Sequence, residues 1–334
     1  MNNTDKVVLR AAVVGCGSVS GTHGQAIRQV DGVRLVACGD TSMDASRNFG
    51  AEFGCNPYNS LEELMDAEKP DVVHICTPHH THVPLALYAV SRGVHVLLEK
   101  PAATAASDLE TLQRTMKDAP VQLGLCFQNR YNPSFVYAKN LIESGATGRI
   151  LGARAFLTWN RDKEYYLKSG WRGRAATEGS SVLLNQAIHT IDLLFLVMGK
   201  PLDVAGTTAN RTLQGVIDTE DTAEMVFYYN DNVRAFFYAT VGYGTDETVI
   251  IEVRCEHMTL CVEGDKLTVR KPGGTVETPG LCMNGIPGGK PYWGASHALL
   301  IKDFYGYIRE GKPFPVDVFS GGPAHEAIYK VLGI

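Results

Sequence analysis

The sequence contains no apolar run long enough to cross a lipid bilayer, which takes about 20 residues. Its longest apolar stretch covers only residues 193–198. Residues 1–5 also lack the basic and apolar regions of a signal peptide. These absences argue against a membrane or secreted protein, so we expect a cytoplasmic location and no membrane partner.

The chain also lacks an excess of positive charge and any paired cysteine motif. Its formal net charge is −5 at pH 7 and it has no basic cluster that would suit a phosphate backbone, so we expect no nucleic-acid partner. The eight cysteines are scattered, without a C-x-x-C pair or a histidine at zinc-binding spacing. We interpret them as reduced packing residues and expect no metal site.

The length of 334 residues favours two domains over one. Up to residue 127, short apolar runs alternate with amphipathic helical stretches, a pattern typical of βαβ units and a parallel sheet. The predicted strands of this part cover residues 7–14, 34–39, 72–76, 94–98 and 121–127. We therefore predict a Rossmann-type, doubly wound parallel sheet over residues 1–127.

The pattern changes after residue 127, where strands dominate and are interrupted by one long apolar helix at 182–198. The later strands follow one another through short turns, which favours an antiparallel sheet. We predict a second, α+β domain over residues 128–334, with a large open and mainly antiparallel sheet. An alternative for its C-terminal helices is that they pack back on the first domain.

A glycine-rich segment follows the first predicted strand directly and opens a helix. Gly15 allows a tight turn, and Gly17 allows the backbone to approach a pyrophosphate at the positive N-terminus of the helix. Ser20, a small residue, stands where such fingerprints have their third glycine. The segment predicts a dinucleotide-binding site.

The choice of dinucleotide depends on Asp40, which ends the second predicted strand. An acidic side chain there accepts hydrogen bonds from the adenosine ribose and repels a 2′-phosphate. We therefore expect NAD(H) rather than NADP(H). Arg47 follows within one or two helical turns, and an arginine near this position can accept a 2′-phosphate, so NADP(H) stays an alternative. The alternative interpretation of Asp40 is a turn former or a helix N-terminal charge.

Lys100 follows the apolar strand at 94–98 and therefore lies at the carboxyl edge of the predicted sheet, where open α/β folds bind ligands. Beside a bound dinucleotide, its amine could stabilise the alkoxide that develops when a hydroxyl is oxidised. The alternative is a surface lysine at a strand end.

Three polar residues occur in the apolar helix at 182–198. Asn185, His189 and Asp192 have offsets of 0, 4 and 7 and are therefore predicted to share one helix face. His189 titrates near neutrality and suits the role of a base that removes a hydroxyl proton, and Asn185 could orient His189 or a sugar. The alternative for His189 is a hydrogen-bonded core histidine.

The ordered motifs resemble the Gfo/Idh/MocA family of NAD(P)-dependent sugar oxidoreductases over nearly the whole chain. The motifs that carry the resemblance are Gly15-x-Gly17, Cys76-Thr77-Pro78, Glu99-Lys100-Pro101, Asn129-Arg130-Tyr131-Asn132-Pro133 and Asn185-x-x-x-His189-x-x-Asp192. The resemblance implies a dehydrogenase or reductase acting on CH–OH groups, in which Lys100 and His189 contact the reacting hydroxyl. It also implies a homodimer or homotetramer formed through the open sheet.

The resemblance also implies a set of cofactor-binding residues. The Thr77-Pro78 and Glu99-Lys100-Pro101 turns are expected to line the nicotinamide half, and the stretch Trp171-Arg172 to reach over the cofactor. The complete predicted set is Gly15, Gly17, Ser18, Val19, Asp40, Thr77, Pro78, His82, Glu99, Lys100, Asn129, Trp171 and Arg172.

One departure from the family pattern concerns Asn185, where many members have aspartate. The Lys-Asn-His combination resembles the subset that acts on nucleotide-linked and other modified sugars. The expected substrate is a small sugar, cyclitol or sugar derivative, and its identity depends on loops such as residues 160–177 and 281–293. Two alternatives stay open: a catalytically silent NAD-binding regulator of sugar metabolism, and an NAD-dependent redox glycosidase.

Overall fold

The computed structural model describes residues 8–280 and 296–334. Their contacts divide them into two compact units. The first unit comprises the described part of Met1–Ala103 together with Ser107–Cys126 and His297–Ser320. The second comprises Thr104–Ala106, the described part of Phe127–Ser296, and Gly321–Ile334.

The first unit is built on a six-stranded sheet whose strands all pair in parallel, in the order β3-β2-β1-β4-β5-β6. The strands are β1 Leu9–Val14, β2 Val33–Gly39, β3 Asn56–Tyr58, β4 Val72–Ile75, β5 His95–Leu98 and β6 Leu123–Leu125. The helices between them are α1 Ser20–Arg28, α2 Met43–Phe53, α3 Leu61–Glu68, α4 His82–Ser91 and α5 Ala106–Met116. This is the predicted doubly wound sheet, with β3 as a short edge strand that the sequence pattern did not indicate.

The second unit is built on an eight-stranded sheet in the order β14-β13-β12-β11-β7-β10-β9-β8. Its strands are β7 Ile150–Thr158, β8 Asp203–Ala209, β9 Thr222–Tyr228, β10 Arg234–Thr240, β11 Ile250–Cys255, β12 Thr259–Glu263, β13 Lys266–Arg270 and β14 Val276–Glu277. Only β7 and β10 pair in parallel, so the mainly antiparallel sheet is confirmed.

Helices cover part of this second sheet. The helices of the second unit are α6 Pro133–Glu143, α7 Lys163–Leu167, α8 Ala175–Glu178, α9 Ile188–Met198 and α11 Gly322–Leu332, of which α6, α9 and α11 contact its strands. Helix α10 Ser296–Glu310 lies almost entirely in the first unit. The mostly helical stretch Ala175–Met198 is long and apolar enough to cross a membrane by length and composition, but 78% of its most apolar 18-residue window is buried. It contacts β7, α6 and α11, which is the environment of a core helix.

The C-terminal part of the chain is shared between the two units. His297–Ser320 belongs to the first unit, whereas α11 belongs to the second, so the division differs from a single boundary at residue 127. In the first unit, Leu125 N–H donates to the Val316 carbonyl at 2.8 Å, which continues the sheet beyond β6. Seven cysteines are free thiols, and Cys282 lies outside the described residues.

Candidate active site

The turn between β1 and α1 provides a cradle for a phosphate group. Gly15 has φ +86°, and a Cβ there would lie only 2.6 Å from the backbone of Cys76 and 2.7 Å from that of Thr77. A Cβ at Gly17 would meet nothing within 4 Å. The turn therefore lies directly against the end of β4 at Gly15 and leaves open space at Gly17, which fits the close approach of a pyrophosphate.

The residues after Gly17 begin helix α1. Ser20 donates its hydroxyl hydrogen to the Gly17 carbonyl at 2.7 Å, which fixes the turn to the helix. Val19 is the N-cap residue, and Ser18 is exposed beside it. The exposed amides of this helix N-terminus attract an anion, as the sequence predicts for the dinucleotide phosphates.

Asp40, directly after β2, stabilises the glycine turn through hydrogen bonds. Its carboxylate accepts hydrogen bonds from the backbone N–H of Cys16 and of Ser42, both at 2.8 Å. Asp40 therefore organises the turn, as the alternative interpretation expected, while its half-exposed carboxylate still places a negative charge beside Gly17. The exposed Arg47 is paired with Asp44 at 3.7 Å.

His82 joins the two turns that were predicted to line the nicotinamide. The ring is fully buried, with Nε2 2.9 Å from the Thr77 carbonyl and Nδ1 2.7 Å from the Pro101 carbonyl. Burial lowers its pKa, although the two carbonyls oppose this effect. The side chain of His82 therefore contacts protein carbonyls, and it can act on a cofactor only through the turns that it links.

Glu99 and Lys100 follow the last residue of β5. Lys100 is half-buried, and its backbone N–H donates to the Glu99 carboxylate at 3.2 Å. The Glu99 side chain is buried, with Oε1 3.0 Å from Nε2 of His23 and 3.6 Å from Nε2 of His297. Burial would raise the pKa of Glu99, but the hydrogen bond from His23 and the nearby imidazole of His297 hold it well below its ordinary value.

The ligand-type atoms of His23, Glu99 and His297 lie within 4.8 Å of one another, a spacing that a metal ion could also bridge. No metal site was expected from the sequence. The 3.0 Å contact between imidazole and carboxylate is an ordinary charge-assisted hydrogen bond, which accounts for this arrangement without a cation.

In the second unit, the predicted continuous helix at 182–198 is wrong in its first part. Ser181–Ala187 is π-helical, and the α-helix begins at Ile188. The backbone N–H of Asn185 donates to the Ser180 carbonyl five residues earlier, at 3.2 Å. The Glu220 carboxylate accepts the N–H groups of Val182 and Leu183 and so replaces the missing carbonyl partners of this first turn.

Asn185 contacts Glu178 within this irregular turn. Its amide Nδ2 donates to Glu178 Oε1 at 2.5 Å. Oε2 of Glu178 accepts from the Gly173 N–H at 2.6 Å and from the Ser181 hydroxyl at 2.5 Å. Burial raises the pKa of Glu178, although these donors and Arg172 oppose the rise. The amide of Asn185 is therefore committed in part to a buried carboxyl group.

His189 lies in the first turn of α9 and is half-buried. Its Nε2 lies 3.5 Å from Nε2 of Gln128, and its ring packs edge-on against Phe127 with 5.7 Å between the ring centroids. The ring is thus held by neighbours in its own unit. Gln128 was missed in the sequence because only its position next to Asn129 connects it with a motif.

Asp192 forms a buried ion pair with Arg130. Two hydrogen bonds of 2.8 and 2.6 Å join the guanidinium to the carboxylate, and burial raises the pKa of Asp192 while Arg130 opposes this. Asn185, His189 and Asp192 thus contact Glu178, Gln128 and Arg130, respectively. Asp192 serves the fold through its buried ion pair, and the roles of Asn185 and His189 toward a ligand stay predictions.

The remaining predicted cofactor residues also belong to the second unit. Trp171 and Arg172 lie in a loop where the Arg172 guanidinium stacks on the rings of Tyr165 and Trp171 at 4.6 and 5.0 Å. Asn129 lies in a 3₁₀ turn at Gln128–Tyr131. Residues 281–293, one of the two loops expected to select the substrate, lie outside the described residues.

The parallel sheet, the glycine cradle and the acidic end of β2 are the features of a dinucleotide-binding Rossmann domain, and the family match makes the class an oxidoreductase. The chain belongs to the Gfo/Idh/MocA family. Its residues 9–127 match the family model described as an oxidoreductase family with an NAD-binding Rossmann fold. Residues 135–261 match the Gfo/Idh/MocA C-terminal domain.

Several characterised proteins are similar to this chain. Levoglucosan dehydrogenase of Pseudarthrobacter phenanthrenivorans is 27% identical over 64% of this chain and 60% of its own length. Inositol 2-dehydrogenase 4 of Saccharopolyspora erythraea is 26% identical over 77% of this chain and 74% of its own length. The structure of the WlbA dehydrogenase from Bordetella pertussis, in complex with NADH and UDP-GlcNAcA, superimposes with a TM-score of 0.84 at 27% identity, covering 98% of this chain and 97% of WlbA.

Proposed function

We propose that this protein is an NAD(H)-dependent oxidoreductase that interconverts a secondary alcohol and a ketone on a sugar, cyclitol or sugar derivative. The observation that carries the proposal is the pairing of a formed dinucleotide cradle at Gly15–Gly17 with a lysine at the end of β5, in a chain of this family. Two similar dehydrogenases named for levoglucosan and inositol, and the WlbA dehydrogenase in complex with UDP-GlcNAcA, support the substrate class.

The residues around the cradle fit a bound dinucleotide. Gly17 and the N-terminus of α1 would receive its pyrophosphate, and Asp40 its adenosine ribose. The nicotinamide supplies hydride acceptance or donation when the cofactor is bound. The negative charge of Asp40 disfavours a 2′-phosphate, so we propose NAD(H) as the preferred cofactor. Asp40→Ser is expected to narrow the NAD⁺ to NADP⁺ ratio of kcat/KM by about tenfold or more, and an unchanged ratio would reject this preference.

Side chains of the protein would remove the proton of the reacting hydroxyl and stabilise its oxygen. We assign His189 as the base that removes this proton during oxidation and returns it during reduction. The ammonium of Lys100 would donate a hydrogen bond to the developing alkoxide oxygen and so stabilise it. Asn185 would orient His189 or the sugar, within the limits of its bond to Glu178.

Two substitutions test these roles. His189→Ala and Lys100→Ala are each expected to lower turnover of an active polyol by about two to four orders of magnitude while NAD(H) still binds. His257→Ala and Lys302→Ala remove the same groups from exposed positions and serve as controls. Turnover at the control level in the His189 or Lys100 variant would contradict the assignment. If a broad panel of polyols leaves the absorbance of added NAD⁺ unchanged, the oxidoreductase proposal itself fails.

A further inference from the structure

A chain of four buried polar side chains leads through the first unit to Glu99. The Tyr305 hydroxyl lies 2.8 Å from Nε2 of His74, and Nδ1 of His74 lies 2.8 Å from Nδ1 of His23. Nε2 of His23 lies 3.0 Å from Glu99 Oε1. Helix α10, strand β4, helix α1 and the end of β5 each contribute one member, and none of the four residues is more than 7% exposed.

The hydrogens of this chain are constrained by counting donors and acceptors. The two facing Nδ1 atoms need one hydrogen between them, because two hydrogens would clash and none would leave two lone pairs opposed. Glu99 is ionised, since its pKa is held well below the ordinary value against burial, and it therefore only accepts. Burial lowers the pKa of His74 well below its ordinary value and raises that of the Tyr305 hydroxyl, so His74 is neutral and Tyr305 keeps its hydrogen.

Only two proton arrangements satisfy these conditions. In the first, Tyr305 O–H donates to His74, the Nδ1–H of His74 donates to His23, and the Nε2–H of His23 donates to Glu99. In the second, His23 carries two N–H groups, so His74 must move its hydrogen to Nε2 and donate to Tyr305. The second arrangement adds an ion to a buried site and forces the Tyr305 hydroxyl to find another acceptor. The first is therefore favoured.

Other titratable groups face this chain from neighbouring elements. His297 on α10 lies 3.6 Å from Glu99, and Cys76, Cys126 and His82 interact electrostatically with Glu99. At the other end, Arg309 and Asp71 act on Tyr305. Because Cys76 and Cys126 are buried thiols whose pKa is raised well above the ordinary value by burial, neither adds a negative charge near Glu99.

We propose that Tyr305, His74 and His23 are positioning residues that act on Lys100 through Glu99. Their one-way hydrogen bonds keep Glu99 ionised, so that its carboxylate holds the backbone N–H of Lys100 and places a fixed negative charge beside it. The importance of that charge for turnover rests on the proposed function, whereas the proton arrangement does not. Uptake of a proton by His23 must reverse the direction of both hydrogen bonds of His74. This couples the Tyr305 hydroxyl, at the far end of the four side chains, to the negative charge beside Lys100.

Nitrogen-15 NMR of histidine-labelled full-length protein at neutral pH tests the arrangement directly, with His74→Gln and His23→Asn to assign the signals. We expect the Nδ1–H tautomer for His74 and the Nε2–H tautomer for His23. An Nε2–H tautomer at His74, or a doubly protonated His23, would overturn the proposal. A metal ion bound between His23 and Glu99 would remove the hydrogen from Nε2 of His23, and this result would overturn it as well.

The pH profile of kcat/KM tests the effect on the reaction. Tyr305→Phe removes the donor that opposes the second arrangement, so the acid limb should move to higher pH by about half a unit to one unit, the size expected for one hydrogen bond. Tyr229→Phe is the matched control, because the Tyr229 hydroxyl is buried without a hydrogen-bond partner in the described structure. A Tyr305→Phe profile that coincides with the Tyr229→Phe profile would contradict the role assigned to the chain. An inactive wild type would reject the oxidoreductase proposal and leave the NMR result unaffected.

Discussion

Each unit buries a glutamate beside a residue that we propose for catalysis, and the pKa values of the two carboxyl groups move in opposite directions. In the first unit, Glu99 is adjacent to Lys100 and its pKa is held well below the ordinary value in spite of burial. In the second unit, Glu178 contacts Asn185 and its pKa is raised by burial. Burial is similar at the two sites, so the difference comes from the hydrogen-bond donors.

The donors differ in type. Glu99 faces the imidazoles of His23 and His297, whose interactions with the carboxylate favour its ionised form strongly. Glu178 faces a hydroxyl, an amide and a backbone N–H, which are neutral dipoles. The comparison teaches that the number of hydrogen bonds to a buried carboxyl group does not decide its proton affinity, whereas the type of donor does.

This contrast bears on the proposed reaction. An ionised Glu99 places a negative charge next to Lys100, which stabilises an ammonium ready to donate to an alkoxide. Burial raises the pKa of Glu178, so this carboxyl group favours its protonated form more than an ordinary glutamate does, near the turn that carries Asn185. The two halves of the chain thus supply different electrostatic surroundings to the residues that we assign.

The largest expected effect concerns Asp192, the buried carboxylate with a permanent cation as its partner. Arg130→Met leaves Asp192 buried without compensation, and we expect the free energy of unfolding to fall by about 3–5 kcal/mol in urea denaturation. The exposed pair Arg149 and Glu256 is the control, and Arg149→Met should cost less than about 1 kcal/mol. Equal losses of unfolding free energy in Arg130→Met and Arg149→Met would contradict the prediction that a buried carboxylate depends more on its arginine partner than an exposed one does.

The next prediction separates Glu99 from Glu178 by the pH dependence of stability. The lowered pKa of Glu99 means that its ionised form stabilises the fold above the ordinary value of about 4.3 and that this contribution is lost as the pH falls through the lower folded value. Wild type should therefore exceed Glu99→Gln by about 1–3 kcal/mol from pH 8 down to about pH 5, and the difference should shrink only in more acid solution.

The contribution of Glu178 to the free energy of unfolding has the opposite pH dependence. Because its pKa is raised, its protonated form stabilises the fold below about pH 4.3, and this contribution is lost as the pH rises through the raised value. The difference in unfolding free energy between wild type and Glu178→Gln should therefore decrease as the pH rises from about 4.3 to the raised folded value. If the two differences run parallel over this range, the contrast between the sites is wrong.

Local features of the site were predictable from the sequence, and features that depend on distant residues were not. The cradle at Gly15–Gly17 and the position of Asp40 were predictable because each depends on a few consecutive residues at the end of a strand. The π-helical conformation of Ser181–Ala187, which contains Asn185, was not predicted because the sequence pattern assumed an uninterrupted α-helix. The π-helical turn depends on the Glu220 carboxylate, which only the folded chain brings to that helix start.

The same limit applies to the first unit. Glu99 occurs in a recognisable motif and His23 lies in the helix that follows the glycine-rich segment. His74 and His297 join them only because β4 and α10 pack against α1 and β5 in three dimensions. The membership of His297–Ser320 in the first unit likewise depends on long-range contacts, which the periodicity of apolar residues in the sequence does not show. The predicted roles of Lys100, His189 and the cofactor residues remain predictions.

The most direct test of the contrast is a carbon-13 NMR titration of the glutamate carboxyl carbons in one sample, with Glu99→Gln and Glu178→Gln to assign the two signals. The account predicts that Glu99 takes up its proton at a pH below the ordinary glutamate value of about 4.3, while Glu178 takes up its proton above that value. Titration of Glu99 at a higher pH than Glu178 would contradict it.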